Sequence, residues 1–238
     1  MQTLTNQNVV VIGGTSGIGL ATAILAHEAG ANVWAVGRSA ERIAVASAKH
    51  PGILFSALDI HDNEGLQALF AQIGTIDHVV ACATGANRTL LPFLQQTQAQ
   101  FREAFDKLWG YCNVIRCAAE FLTADASITL VSGTPARKAN PGMSSLSCVG
   151  SAVEALTRAL ALEMAPRRIN VVAPGLISTG MFDGMGDKRD ATLEKMTANL
   201  PIKRAGQPAE VASAILLTMT NGYMTGATLD VDGGTLLP

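Results

Sequence analysis

The chain predicts an α/β fold: one parallel sheet covered by helices on both faces, in a single domain. Three observations carry that expectation. Short, continuously apolar runs alternate with helical stretches along the whole chain. Uninterrupted apolar runs mark strands buried on both sides, and their alternation with helices marks parallel connections. Hydrophobic residues reach 48% of the 238 residues and charged residues only 15%, against roughly 25% in ordinary globular domains, so the core is large and part of the surface is expected to be covered by partner subunits. No repeat, linker or composition break divides residues 1–238, and the length suits one sizeable domain.

Each element has its own signal. "NVVVIGG" is a β-branched run ending in glycines, followed by a helical pattern over Ile18–Ala29. "ANVWAVG" repeats the theme, with a helix from Ala40 to about Lys49. "GILFSALD", "IDHVVACA", "SITLVSG" and "RINVVAP" are four further runs that end in small or polar residues. Helical stretches over Ala99–Leu122 and Ser151–Met164 separate the later runs, and "ATLDVDGG" closes the chain after a helix over Pro208–Met219. The glycine- and methionine-rich region around residues 176–205 fits neither period and is expected to form a lid over a site. Met181, Phe182, Met185 and Leu193 give that lid an apolar face, with Phe93 and Leu94 on the opposite wall.

Composition excludes several classes. The net charge is −2 and no basic run stands out, so nucleic acid is not an expected partner. The N-terminus lacks a basic segment leading into a long apolar one, and no run of about 18 apolar residues occurs, so neither an export signal nor a membrane span is expected. Cys82, Cys112, Cys117 and Cys148 lack zinc-ligand spacing and have no clustered histidines beside them. No metal is therefore expected, and free thiols in a reducing cytoplasm are. His27, His50, His61 and His78 all fall away from the carboxyl edge of the expected sheet and read as structural or solvated.

Chemistry enters at the first turn. Gly13, Gly17 and Gly19 lie between the first strand and first helix, with Thr15, Ser16 and Ile18 among them. Glycines there permit a tight turn, let backbone approach a pyrophosphate, and leave N–H groups at a helix start to bind it. The second strand ends in Gly37, Arg38 and Ser39, where a carboxylate would accept the 2′-hydroxyl of an unphosphorylated ribose. An arginine instead offers a 2′-phosphate a forked pair of hydrogen bonds, so NADP(H) is expected over NAD(H), the alternative being a solvated surface charge. Asp59, followed by Ile60, sits where a side chain accepts from the adenine amino group, or alternatively caps a helix.

With these residues in place the chain resembles the short-chain dehydrogenase/reductase family over essentially its whole length. "GGTSGIG" is similar to that family's glycine motif, "RINVVAPGLIST" to its asparagine–proline–glycine segment, and "KRAGQPAEVA" and "TGATLDVDGG" to its C-terminal signatures. The resemblance implies a Rossmann-type, doubly wound sheet of seven strands, hydride transfer between a nicotinamide and an alcohol or carbonyl of a small-molecule substrate, and assembly into homodimers or homotetramers. It implies that Pro174, Gly175, Ile177 and Thr179 flank the nicotinamide, Thr179 holding the carboxamide or phosphate and Ile177 covering the ring. After the fourth strand the family commonly has Asn-Asn-Ala-Gly; here "ACAT" spans Ala81–Thr84 before Gly85, so Ala83 offers the adenosine a close backbone but no amide side chain.

The family's Asn, Ser, Tyr and Lys are all replaced. Matching the catalytic helix puts Leu146 at the tyrosine position, Gly150 at the lysine position, Gly133 at the serine position and Lys107 at the asparagine position. Removing a lysine side chain at 150 opens a volume that Lys107 is expected to enter, and a desolvated ammonium is a competent general acid; the alternative is a surface lysine beside Asp106. Ser132 and Ser147, with Ser144 and Ser145, are expected to orient a carbonyl or a water. Tyr111, one turn from Lys107, reads as helix packing, with proton donation as the alternative. The expected function is an NADP(H)-dependent oxidoreductase with a rebuilt catalytic centre; the alternative is a non-catalytic nucleotide-binding protein that keeps the fold.

Overall fold

The computed structural model describes residues 3–84 and 89–238; Gly85 lies outside the described residues. The seven apolar runs become β1 (Asn8–Ile12), β2 (Asn32–Gly37), β3 (Leu54–Ala57), β4 (Ile76–Ala81), β5 (Leu122–Val131), β6 (Arg168–Pro174) and β7 (Thr228–Val231). They form one parallel sheet in the order β3-β2-β1-β4-β5-β6-β7. The chain runs outward from β1 to β3, then returns to place β4 against the other side of β1. Strand order therefore reverses between β1 and β4, and in open α/β sheets ligands bind in the crevice outside the strand ends at such a point.

The sheet is buried on both faces because its strands are apolar on both. Val10 and Ile12 pack into one layer with Leu66, Phe70, Tyr111, Val114 and Val153. Val9 and Val11 point the other way, onto Ala23, Ala26, Val211, Ile215 and Met219. The first layer is supplied by α3 (Asn63–Ile73), α5 (Asp106–Ala118) and α6 (Ser144–Glu163), and the second by α1 (Gly17–Glu28) and α8 (Pro208–Thr220). The short α2 (Ala40–Lys49) follows β2. Arg168 closes the end of α8: its guanidinium donates to the carbonyls of Thr218 at 2.7 Å and Met219 at 2.7 Å, two of the acceptors a helix C-terminus leaves unmade.

Three elements differ from expectation. The stretch expected as one helix over Ala99–Leu122 is α4 (Gln98–Ala104) and α5, joined at Phe105, while Leu122 already belongs to the ten-residue β5. α6 begins at Ser144 rather than Ser151. Serine and glycine are weak helix formers, but Ser145, Val149 and Gly150 are buried, and tertiary packing overrides propensity there. α6 is the one helix among the described residues long and apolar enough by length and composition to cross a membrane, a test that a buried core helix also passes; in the fold it lays Val149, Val153, Thr157 and Ala161 inward. The region around 176–205 is a helical excursion rather than an open loop. It holds a 3-10 segment, Gly180–Lys188, and α7 (Arg189–Thr197), which buries Leu193 and Thr197.

Of the four histidines, His78 is buried in β4. Its Nδ1 lies 2.7 Å from the Ser127 hydroxyl and its Nε2 lies 3.0 Å from Gln7 Oε1, so the neutral ring donates to Gln7 and accepts from Ser127. Burial, opposed in part by the Asp77 carboxylate and reinforced by Arg168, lowers this imidazole to about 4. An unfolded histidine titrates near 6.5. Below that pH the unfolded chain takes up a proton that the native ring refuses, so this stabilisation is full above about pH 6.5 and fades as pH falls toward about 4, by up to about 3 kcal/mol. Urea unfolding at pH 7.5 and pH 4.5 checks this: wild type is expected to lose more stability than His78→Gln. An equal loss in both proteins would remove His78 as the cause.

Candidate active site

The glycine turn is built by contacts that side chains would block. Gly13 has φ +82°, and a Cβ there would lie 2.7 Å from the Ala83 backbone nitrogen; one on Gly19 would overlap the Gly13 carbonyl oxygen at 2.1 Å. The N–H groups of Gly13 and Gly14 both donate to the Val36 carbonyl, which binds the turn to β2. Ser16, at the start of α1, makes no side-chain cap hydrogen bond, and the first turn carries no acidic residue. The helix start thus presents N–H groups and a positive dipole end without an internal anion, which fits a pyrophosphate. Thr15 is buried against Gly37, where a Cβ would lie 2.5 Å from its hydroxyl.

At the end of β2 the structure brings two expected residues together: the guanidinium of Arg38 lies 3.5 Å from the Asp59 carboxylate, both half-exposed. Such an exposed pair is worth at most about 1 kcal/mol, so Arg38 can be redirected cheaply to a stronger anion. Asp59 does not cap a helix; Asp62 caps α3 by accepting from Gly65 N at 2.9 Å, while Asp59 accepts from His61 N at 3.0 Å. Ser39 is the cap of α2, accepting from Arg42 N at 3.2 Å. Ile60 packs onto α5 where Gly110 leaves room, since a Cβ on Gly110 would overlap its Cδ1 at 2.0 Å.

Tyr111 is fully buried, and its hydroxyl lies 3.1 Å from the Ala83 carbonyl and 3.3 Å from the Val131 carbonyl. Burial raises this phenol well above 10, the Cys82 thiol pushing the same way and the Val131 bond opposing. That describes a pin between the ends of β4 and β5 and not a proton donor. Pro174, which ends β6, and Ile177 beyond it are buried. A Cβ on Gly175 would meet Asp232 Cα at 2.8 Å. Thr179 caps the 3-10 segment through Met181 N at 3.4 Å, and its methyl lies 3.4 Å from where Gly17 would carry a Cβ. The glycine turn and the segment after β6 therefore face each other across the crevice.

Between α5 and α6 lies a cleft of about 50 Å³ whose walls include Glu103, Lys107, Ser132, Gly133, Leu146 and Gly150. All four substituted positions thus face one space. Lys107 Nζ donates to the Ser132 carbonyl at 3.3 Å and stands 5.6 Å from the centre of the Tyr111 ring. Burial pushes the neighbouring Cys82 thiol up to about 12, with the Lys107 charge opposing. Gly150 packs on the loop after β5, its absent Cβ 3.0 Å from that of Ala136. Ser147 lies one residue from Leu146 on α6 but is not on the cleft wall. The sequence reading passed over two carboxylates. Glu103 is four residues before Lys107, a spacing that shares a helix face, and the joint at Phe105 keeps helical dihedrals. Glu154, buried inside α6, accepts from the Ser132 hydroxyl at 3.1 Å.

Known proteins match this chain over nearly its whole length. The family described as enoyl-(acyl carrier protein) reductase matches residues 13–235. A short-chain dehydrogenase/reductase, ATR9, of Stachybotrys chlorohalonatus is 31% identical, with both chains covered in full. Carbonyl reductase family member 4 of Danio rerio is 32% identical over 94% of this chain and 96% of its own. Among solved structures, an NADPH-bound short chain oxidoreductase of Pseudomonas aeruginosa PAO1 with an atypical catalytic center superposes with TM-score 0.89. It is 28% identical over 98% of this chain and 99% of that one.

Proposed function

The chain belongs to the short-chain dehydrogenase/reductase family, and on that premise we propose that it is an NADP(H)-dependent oxidoreductase interconverting a carbonyl and an alcohol of a small molecule. The observation that carries this reading is the placement of Lys107 on the wall of the cleft to which Leu146 and Gly150 contribute no titratable group. When bound, the cofactor supplies a hydride to the carbonyl carbon. Lys107 gives a proton to the carbonyl oxygen, which becomes the hydroxyl, and its charge stabilises the developing alkoxide. Ser132 fixes the ammonium through its carbonyl. Gly13, Ser16, Gly17, Ile18 and Gly19 hold the pyrophosphate; Asp59, Ile60 and Ala83 border the adenosine; Thr179 and Ile177 flank the nicotinamide. The excursion over 176–205 serves as a lid. The NADPH-bound short chain oxidoreductase neighbour with an atypical catalytic center supports both the cofactor and an atypical centre on this fold.

One observation favours a second reading, a nucleotide-binding protein without turnover: the cleft volume of about 50 Å³ is far below the roughly 300–1,000 Å³ of ligand sites. Turnover of NADPH with a panel of aldehydes and ketones decides between the two.

Arg38 sets the cofactor choice. A forked pair of charge-assisted bonds to a 2′-phosphate contributes about 1.5–3 kcal/mol, so calorimetric titration is expected to show NADPH bound about 10–100-fold more tightly than NADH. Arg38→Asp is expected to invert the order; equal affinities in the wild type would refute the assignment.

Lys107→Met keeps much of the volume without the charge. It is expected to abolish turnover while NADPH still binds, and to level the affinities for NADPH and NADP⁺, because an ammonium repels the cationic ring. Undiminished turnover would reject Lys107 as the proton donor.

Trp109 on α5 and Leu162 on α6 are 58% and 84% exposed, which supports a homodimer or homotetramer built on these helices. Sedimentation is expected to give a multiple of the 24.7 kDa chain mass; a single-chain mass at micromolar concentration would contradict it.

A further inference from the structure

Glu154 is a charged side chain in the interior of α6, 6% exposed. Its inward neighbours on the helix are Gly150, Val153, Thr157 and Ala161. Withdrawing a carboxylate from water costs several kcal/mol unless partners replace the lost hydration, and a hydrophobic residue would pack this position without that cost. Two partners are present. The Ser132 hydroxyl donates to Glu154 Oε1 at 3.1 Å, and Arg137 Nε lies 3.3 Å from the same oxygen.

Arg137 is also engaged elsewhere. Both terminal nitrogens of its guanidinium bind the Asp230 carboxylate on β7 in a forked pair, and Asp232 adds to the negative field around it. One cation therefore faces at least two carboxylates, and this cluster carries a net negative charge behind Ser132. On the front of Ser132, Lys107 Nζ donates to the carbonyl of the same residue. Ser132 is thus held from behind by a carboxylate through its side chain and from the front by an ammonium through its backbone.

We propose that Glu154 is the positioning residue of the cleft, fixing Ser132 against α6 and adding negative charge to the field that the Lys107 ammonium meets at the Ser132 carbonyl. The role of that ammonium in turnover rests on the reading above, whereas the coupling of Glu154 to Lys107 does not. The other titratable groups around Lys107, among the described residues, are Glu103 from α4, Tyr111 and Asp106 from α5, and Cys82 after β4. Glu103 is a carboxylate on the cleft wall, so the test has to change the field from the Glu154 side alone.

The charges behind Ser132 can be altered in both directions. Glu154→Gln removes a negative charge while keeping an oxygen for the Ser132 hydroxyl, and Arg137→Gln removes the positive charge that offsets Glu154. The measurement is the titration of Lys107 by carbon NMR of protein labelled at the lysine ε carbon, its resonance identified by its loss in Lys107→Met. Glu154→Gln is expected to lower the Lys107 midpoint, and Arg137→Gln to raise it, each by roughly 0.5–1 pH unit. In a protein with turnover, the corresponding limb of the kcat–pH profile is expected to move the same way. Melting temperature is recorded alongside. If both variants melt lower but leave the Lys107 midpoint unmoved, Glu154 is only a structural anchor and the proposal is overturned. If Glu154→Gln does not fold, the Arg137→Gln shift alone decides: a rise sustains the proposal and a fixed midpoint ends it. A wild type that turns over no carbonyl, with both midpoints shifted as expected, defeats the enzymatic reading and leaves this coupling standing.

Discussion

The backbones of Gly13 and Ala83 approach so closely that one added methyl group would lie 2.7 Å from the Ala83 nitrogen. That approach occurs where strand order reverses, so the walls of the crevice are set by how the ends of β1 and β4 meet. Tyr111 holds the arrangement from below, its single hydroxyl proton lying between the carbonyls of Ala83 and Val131. Because a buried carbonyl left without a donor costs about 1–3 kcal/mol, the positions of β1, β4 and β5 are mutually dependent at this edge. The anion-ready start of α1 follows β1 and the Lys107 cleft borders the end of β5, whereas the Arg38–Asp59 pair stands at the ends of β2 and β3.

On α6, Leu146 and Gly150 bring no titratable group to the cleft, and an ammonium reaches it from Lys107 on α5. The arrangement has a steric side and an electrostatic one. Gly150 allows the loop carrying Ala136 to close onto α6, where any side chain would have to displace it. Ser151 reinforces that closure by donating to the Ala136 carbonyl at 2.8 Å. Charge on the two sides of Ser132 then has to balance across a residue and not along one helix. The Lys107–Ser132–Glu154 chain thus joins three elements, α5, the end of β5 and α6.

What the sequence displays and what it conceals divide along physical lines. The glycine turn was legible because strand, glycines and helix are contiguous, and the seven strands because each is a local apolar run. The α6 start was not legible: Ser144, Ser145 and Gly150 argue against helix locally, and only the packing of Val149 and Gly150 reverses that. Asp59 and Asp62 are both plausible caps three residues apart, and the choice of Asp62 is visible only in the dihedrals and the Gly65 contact. Lys107 shares the cleft wall with Gly150, but the space a side chain at 150 would take is met by Ala136 and not by Lys107. Glu103 was within reach of sequence reasoning, had the four-residue spacing been followed backward along the helix. Glu154 was not, since a carboxylate in a helix interior reads as solvated until the fold brings Ser132 and Arg137 to it.

The excursion after β6 is tied off at its base. Ile177 and Gly206 pair as a parallel bridge, with Ser178 N donating to Gly206 O at 2.8 Å and Gly206 N to Leu176 O at 2.9 Å. Closing the loop there fixes its two ends, and the entropic cost of closure grows only slowly with the length enclosed. The interval from Ser178 to Ala205 can therefore lengthen, shorten or change composition while β6, β7 and the glycine turn keep their registers. A lineage carrying this base can vary one segment freely without renegotiating the sheet that the segment leaves and rejoins.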